Sequence, residues 1–265
     1  METTRVPGPP AIAVDHAGTG PLVVFLHGIG GNRTNWTRQV TALSDAYRCA
    51  AWDLRGYGDS EDYDGPFRFA DVHADLDRVL DRFGASSAHL VGLSLGGRVA
   101  LDYAAARPDR VRSLVLADTS AGSEAMNSEE EIGRFLDLRL KPLREGRTPA
   151  DTAPALRDRL AGPNASEDAR EEIRASLAAQ RTDSYAKTLE GAVRHQRFTP
   201  EDIVVPTLVV TGEHDVMAPP DVARALADRI PGARFAVVPG AGHLSNIEAP
   251  EAFTGLVRAH LAGAA

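Results

Sequence analysis

The nine residues His89-Leu90-Val91-Gly92-Leu93-Ser94-Leu95-Gly96-Gly97 constrain the fold more than any other stretch. An apolar run enters, one serine stands between two glycines, and a run of helix formers leaves. The pattern is that of a buried strand, a tight turn and a helix start, with Ser94 bracketed by Gly92 and Gly96 as G-x-S-x-G. So sharp a turn leaves no space for side chains at the bracketing positions and holds the serine in a strained backbone conformation. It lifts the hydroxyl out of the sheet and aims the N-terminus of the following helix at whatever meets it.

The surroundings fit a sheet covered on both faces. Continuous apolar runs at residues 22–26, 48–54, 87–93 and 111–117 read as strands buried on two sides. Between them, Val72, Leu76, Val79, Leu80 and Phe83 recur at helical spacing and stop at Gly84. A further helix is expected through Trp36, Val40 and Leu43, capped by Thr34 or Asn35, and another over residues 95–107, ended by Pro108. Residues 11–15 suit one arm of an N-terminal hairpin. This alternation predicts a mostly parallel, doubly wound α/β sheet with helical crossovers.

After Asp118 the rhythm breaks. Residues 121–199 contain helix-like charged stretches, interrupted at Pro142, Pro149, Pro154 and Gly162-Pro163, and no strand-like run. They are expected to form a helical lid inserted into one core made of residues 1–120 and 200–265. Their apolar residues, among them Phe135, Leu136, Leu138, Leu140, Leu177 and Leu189, are expected to pack the lid onto the core or line a pocket. Alternation resumes with strands at 206–211 and 234–238 and helices at 219–230 and 250–261.

Composition narrows the function. A formal charge of -8 argues against nucleic-acid binding, which needs a basic face. No apolar run is long enough to span a bilayer. Residues 1–10 hold one arginine and no apolar core, so they do not read as a secretory signal, and a cytoplasmic setting is expected. Cys49 is the sole cysteine and excludes an intrachain disulfide or a multi-cysteine metal site. The histidines have no metal-ligand spacing, and the glycine loop after residue 27 lacks a phosphate-loop continuation. No cofactor or metal is expected, and the partner is expected to be a small-molecule substrate. No pattern bears on the oligomeric state.

A serine hydroxyl is a weak nucleophile at neutral pH and needs a base, which in turn needs an orienting group. Both follow the lid. The strand at 207–211 runs into Gly212-Glu213-His214-Asp215, and that at 234–238 into Pro239-Gly240-Ala241-Gly242-His243. Loops at the carboxyl ends of parallel strands converge. Ser94 as nucleophile, His243 as base and Asp215 as its orienting acid are thus expected to meet, in the chain order Ser, Asp, His. The backbone N–H groups of Leu95 and Ile29 are the expected oxyanion donors. His27 is expected to order the loop carrying Ile29, and Asp53 and Arg55 to tie two loops together.

Five strand-end pieces carry a resemblance: His27-Gly28-Ile29-Gly30, Asp53-Leu54-Arg55-Gly56-Tyr57-Gly58-Asp59-Ser60, Gly92-Leu93-Ser94-Leu95-Gly96-Gly97, Gly212-Glu213-His214-Asp215 and Gly240-Ala241-Gly242-His243. With them the chain resembles the α/β-hydrolase superfamily over nearly its whole length except the lid. Within it, the chain is most similar to small esterases and lactonases related to 3-oxoadipate enol-lactonase, and to the cofactor-free perhydrolases. Serine at position 94 sets it apart from haloalkane dehalogenases and epoxide hydrolases, which place aspartate there. Some relatives carry the acid after the strand at 111–117, which makes Asp118 the rival to Asp215. The lid lacks the tryptophan typical of enol-lactonases. The resemblance implies a serine hydrolase that cleaves an ester or lactone through an acyl-enzyme. Carbon–carbon bond hydrolysis, perhydrolysis or a natural-product biosynthetic step on the same triad are the alternatives, and a slow-turnover binding or signalling protein is a third reading.

Overall fold

Strands that are apolar at every position need cover on both sides, and the backbone provides it. The computed structural model describes residues 1–122, 128–195 and 198–264. Eight strands form one sheet: β1 (Glu2–Val6), β2 (Ile12–Ala17), β3 (Leu22–Leu26), β4 (Arg48–Trp52), β5 (Ala88–Leu93), β6 (Val111–Ala117), β7 (Thr207–Gly212) and β8 (Arg234–Val238). Their spatial order is β1-β2-β4-β3-β5-β6-β7-β8. β1 and β2 form an antiparallel hairpin, β2 meets β4 antiparallel, and every other pairing is parallel.

Alternate residues of the central strands feed two cores. Val24, Leu26, Leu90, Leu114 and Leu116 face α2 (Phe69–Arg82), α3 (Leu95–Ala106) and, with Val209, α8 (Pro220–Arg229). Val23, Phe25, Val91 and Val115 face α1 (Thr37–Leu43) and α10 (Pro250–Gly263). This period-two division is what a doubly covered strand requires. Helix α3 is buried on nearly all sides, through Leu95, Val99, Ala100, Leu101, Tyr103 and Ala104. A helix that is apolar all round belongs in an interior, and the elbow serine stands at its N-terminal end.

Among the described residues, four α-helices lie between β6 and β7: α4 (Glu129–Arg144), α5 (Pro149–Leu160), α6 (Glu167–Ala178) and α7 (Thr182–Arg194). Pro149 occupies the first helical position of α5, where a missing N–H costs nothing. α4 and α7 pack through Ile132, Leu136, Leu140, Tyr185, Leu189 and Val193. α5 and α6 pack through Ala153, Leu160, Ala169, Ile173 and Leu177, joined by Ile247 of α9 (Ser245–Glu248). Leu138 points outward instead, with 66% exposure.

Three local differences from the sequence reading have physical reasons. β1 carries the polar run Glu-Thr-Thr-Arg and buries only Val6, so as an edge strand it gives little hydrophobic signal. Asn32, not Thr34 or Asn35, caps the turn at Arg33–Trp36, with Asn35 answering it in a capping box. Asp53 and Arg55 do tie loops, though not to one another. Asp53 holds Arg33 and the Asp59 N–H, and Arg55 is clamped by Asp75 at 2.7 Å.

Candidate active site

At the elbow, Ser94 has φ 54° and ψ -116°. A non-glycine residue there costs on the order of 1–3 kcal/mol, and its neighbours hold it in place. Its N–H donates to the Ala117 carbonyl at 2.8 Å, and its own carbonyl accepts from Thr119 Oγ1 at 2.7 Å. The two glycines are dictated by space. A Cβ on Gly96 would stand 2.0 Å from the Leu26 carbonyl oxygen, and one on Gly92 would stand 2.3 Å from that of Gly96. Backbone cannot yield to such contacts.

His243 follows β8 and Asp215 follows β7, and both side chains turn to the elbow. His243 Nδ1 lies 3.0 and 2.9 Å from the two Asp215 carboxylate oxygens, and Nε2 lies 3.1 Å from Ser94 Oγ. An ionised carboxylate only accepts, so the proton sits on Nδ1 and Nε2 is free to accept from the serine hydroxyl. Asp215 is fixed in turn by the Met217 and Ala218 N–H groups, at 2.7 and 3.0 Å. The His243 N–H donates to the Leu160 carbonyl at the end of α5 at 2.8 Å, so the inserted helices also set the imidazole.

Charge follows geometry. Burial lowers the His243 pKa, but the Asp215 charge and hydrogen bond outweigh it and raise it above the ordinary histidine value. Burial raises the Asp215 pKa, but the His243 charge and hydrogen bond, with two backbone N–H donors, bring it below the ordinary carboxylate value. The base form of His243 is therefore lost as pH falls through a value above 6.5.

Asp118, the rival acid, does not touch the imidazole. It has φ 48° and is fully buried, and its oxygens accept from the Gly212 N–H at 2.8 Å and from Ser245 Oγ at 2.6 Å. It ties the end of β7 to the start of α9. Burial, with the Asp215 charge added, pushes its pKa upward.

Ile29 sits on the glycine loop after β3, which lies against the serine. A Cβ on Gly28 would stand 2.9 Å from Ser94 Cβ. His27 orders this loop. Its Nε2 accepts from the Leu54 N–H at 3.0 Å, so Nδ1 donates to the Gly28 carbonyl at 2.8 Å. Leu95 is the first residue of α3, so its N–H has no partner within the helix.

Ser94, His243, Ile29 and Leu160 border two recesses. A small one, about 30 Å³, is lined by Gly28, Ile173 and Leu177. A larger one, about 210 Å³, is walled by Leu95, Phe135, Leu156, Leu189 and Met217, with Arg98 and Arg139. The apolar wall from α4 to α7 was partly legible in the sequence. The Leu160 anchor and the two arginines were not singled out, although Arg98 lies one helical turn beyond Ser94. Cys49 is buried away from the site, and burial pushes its thiol up to about 12. Among the described residues there is no cluster suited to a metal ion, and no helix is long and apolar enough to cross a membrane.

Known proteins share the architecture and part of the sequence. 3-oxoadipate enol-lactonase 2 of Acinetobacter baylyi is 28% identical over 260 aligned residues, which span 94% of this chain and 92% of the relative. The malate-bound structure of a thermophilic esterase from Thermogutta terrifontis superposes with a TM-score of 0.89 at 30% identity, covering 100% of this chain and 99% of that one. The enol-lactonase from Burkholderia xenovorans LB400 superposes with a TM-score of 0.82 at 27% identity, covering 96% and 97%. The family model for the α/β-hydrolase fold matches residues 21–250, from β3 to the start of α10. With that match spread over the sheet, the elbow and the loops that follow β7 and β8, the chain is a hydrolase belonging to the α/β-hydrolase family.

Proposed function

We propose that the protein is a serine hydrolase that cleaves an ester or lactone bond of a small, partly apolar molecule. The reading rests on one observation above all, the continuous hydrogen-bonded line from Ser94 through His243 to Asp215. Ser94 Oγ attacks the carbonyl carbon while His243 Nε2 takes the hydroxyl proton. The negative oxygen of the tetrahedral intermediate is met by the N–H groups of Leu95 and Ile29. The carbon–oxygen bond then breaks, and His243 returns the proton to the departing alkoxide. In the second half-reaction His243 deprotonates a water, which releases the acyl group from Ser94. Asp215 keeps His243 in the tautomer that accepts at Nε2 and stabilises the imidazolium.

Helices α4 to α7 act as a lid over the 210 Å³ recess, where Phe135, Leu156 and Leu189 offer apolar contact to the substrate. The small-molecule character of the substrate follows from that enclosure. The names of the relatives, an enol-lactonase and an esterase, agree with bond cleavage at a carboxylic ester.

A panel of 4-nitrophenyl butyrate, a five-membered lactone and a vinylogous diketone distinguishes this reading from carbon–carbon hydrolysis on the same triad. Turnover of the ester or the lactone well above that of the diketone is expected. Cleavage of the diketone alone contradicts it.

A further inference from the structure

The small recess beside Ser94 and His243 has apolar side chains in its wall, Ile173 and Leu177 of α6 among them, yet Asn35, Trp36 and Asn246 border it too. All three are buried, and Asn35 Nδ2, Trp36 Nε1 and Asn246 Oδ1 make no hydrogen bond with any described residue. The bonds around them fix which atom is which. Asn35 Oδ1 accepts from the Asn32 N–H at 2.9 Å, so the spare atom of Asn35 is a donor. Asn246 Nδ2 donates to the Asn35 carbonyl at 2.9 Å, so the spare atom of Asn246 is an acceptor. The Trp36 ring packs 5.2 Å from that of Phe25 and 6.0 Å from that of Phe253, and its Nε1 can only donate.

Buried polar atoms are as a rule paired, with protein or with water. Two donors and one acceptor around one small space suit a molecule that both accepts and donates. At about 30 Å³ the recess has room for one or two water molecules, which need about 10–15 Å³ each, and is too small for an acyl chain. The larger recess, at about 210 Å³, has room for the chain. Ser94 and His243 border both, so the nucleophile and the base serve two compartments that differ in size and in polar lining.

We propose that the small recess holds the water that releases the acyl group from Ser94, with Asn35, Trp36 and Asn246 as its positioning residues and the acyl chain in the larger recess. This deepens the serine-hydrolase reading and rests on it. A water that accepts one hydrogen bond from these groups and donates one to them keeps an O–H for His243 Nε2 and a lone pair for the acyl carbon. His243 takes that proton as the water oxygen bonds to the carbon. The bond from the carbon to Ser94 Oγ then breaks, and the proton passes to Oγ. A recess of this size admits water and excludes longer alcohols, so it directs the acyl group to water.

The partition of the acyl-enzyme between water and 1-propanol tests it. The readout is the ratio of propyl butyrate to butyrate formed from 4-nitrophenyl butyrate at a fixed propanol concentration. Both products come from one intermediate, so a variant that merely lowers activity leaves the ratio where it was. Trp36→Phe keeps an aromatic ring and removes the N–H, and it should raise the ratio about fivefold, the scale of one hydrogen bond. Leu177→Ala opens the recess from the α6 side, and it should raise the ratio about tenfold by admitting propanol, the scale of a change in pocket size. A rise in either variant supports the water site, and a ratio that neither moves overturns it. Release of 4-nitrophenol tells the two claims apart. Release that does not depend on Ser94 removes the hydrolase reading and the water site with it. Release that depends on Ser94, with an unmoved ratio, removes the water site alone.

Discussion

Replacing Ser94 with alanine should lower kcat/KM for 4-nitrophenyl butyrate by about five to six orders of magnitude, the scale for removing a triad nucleophile. The loss is large because, in the proposed mechanism, the hydroxyl forms the covalent bond to the acyl group, and no other nucleophile stands 3.1 Å from His243 Nε2 among the described residues. The fold should tolerate the change. The hydroxyl's hydrogen bond is to His243, while the turn is held by the Ser94 backbone bonds to Ala117 and Thr119. A melting temperature close to wild type, with residual hydrolysis only from the oxyanion donors and the pocket, is the expected pair of results. Retention of more than a tenth of the wild-type rate refutes the nucleophile assignment.

The second large effect separates two buried aspartates. Asp215→Asn should cost about ten-thousandfold in kcat, because an amide donor facing Nδ1 favours the tautomer that protonates Nε2. Asp118→Asn should cost less than about tenfold. Its amide oxygen can still accept from the Gly212 N–H, and its amide nitrogen can donate to the Ser245 hydroxyl. Asp118→Ala is different in kind. It strands the Gly212 N–H and the Ser245 hydroxyl in the interior, at about 1–3 kcal/mol each, so the damage should appear as lost stability. Steady-state rates beside thermal melts read both effects. Collapse of activity in Asp118→Asn, with Asp215→Asn still active, would exchange the two roles.

Much of this was legible in the sequence because strand ends carry it. The apolar runs located β3 to β8, and the candidate nucleophile Ser94, acid Asp215 and base His243 each stand just past one of them. Backbone geometry made the glycines readable too, since Gly92 and Gly96 have no space for a Cβ. What could not be read depends on pairing across long separations. The edge strand β1 is polar and is specified by its partner β2. The acid Asp118 is distinguished from Asp215 only by which one faces the imidazole, and no local pattern records that. The Leu160 carbonyl supports His243 across 83 residues of chain, from a helix whose own sequence reads as a plain amphipathic segment.

The central claim is a covalent one, and mass settles it most directly. Wild-type protein mixed with a slowly released acyl donor, quenched in acid and weighed intact, should gain one acyl group. Peptide mapping should place it on Ser94, and Ser94→Ala should gain nothing. Turnover of the ester with no adduct at any quench time, or an adduct on another residue, contradicts the account.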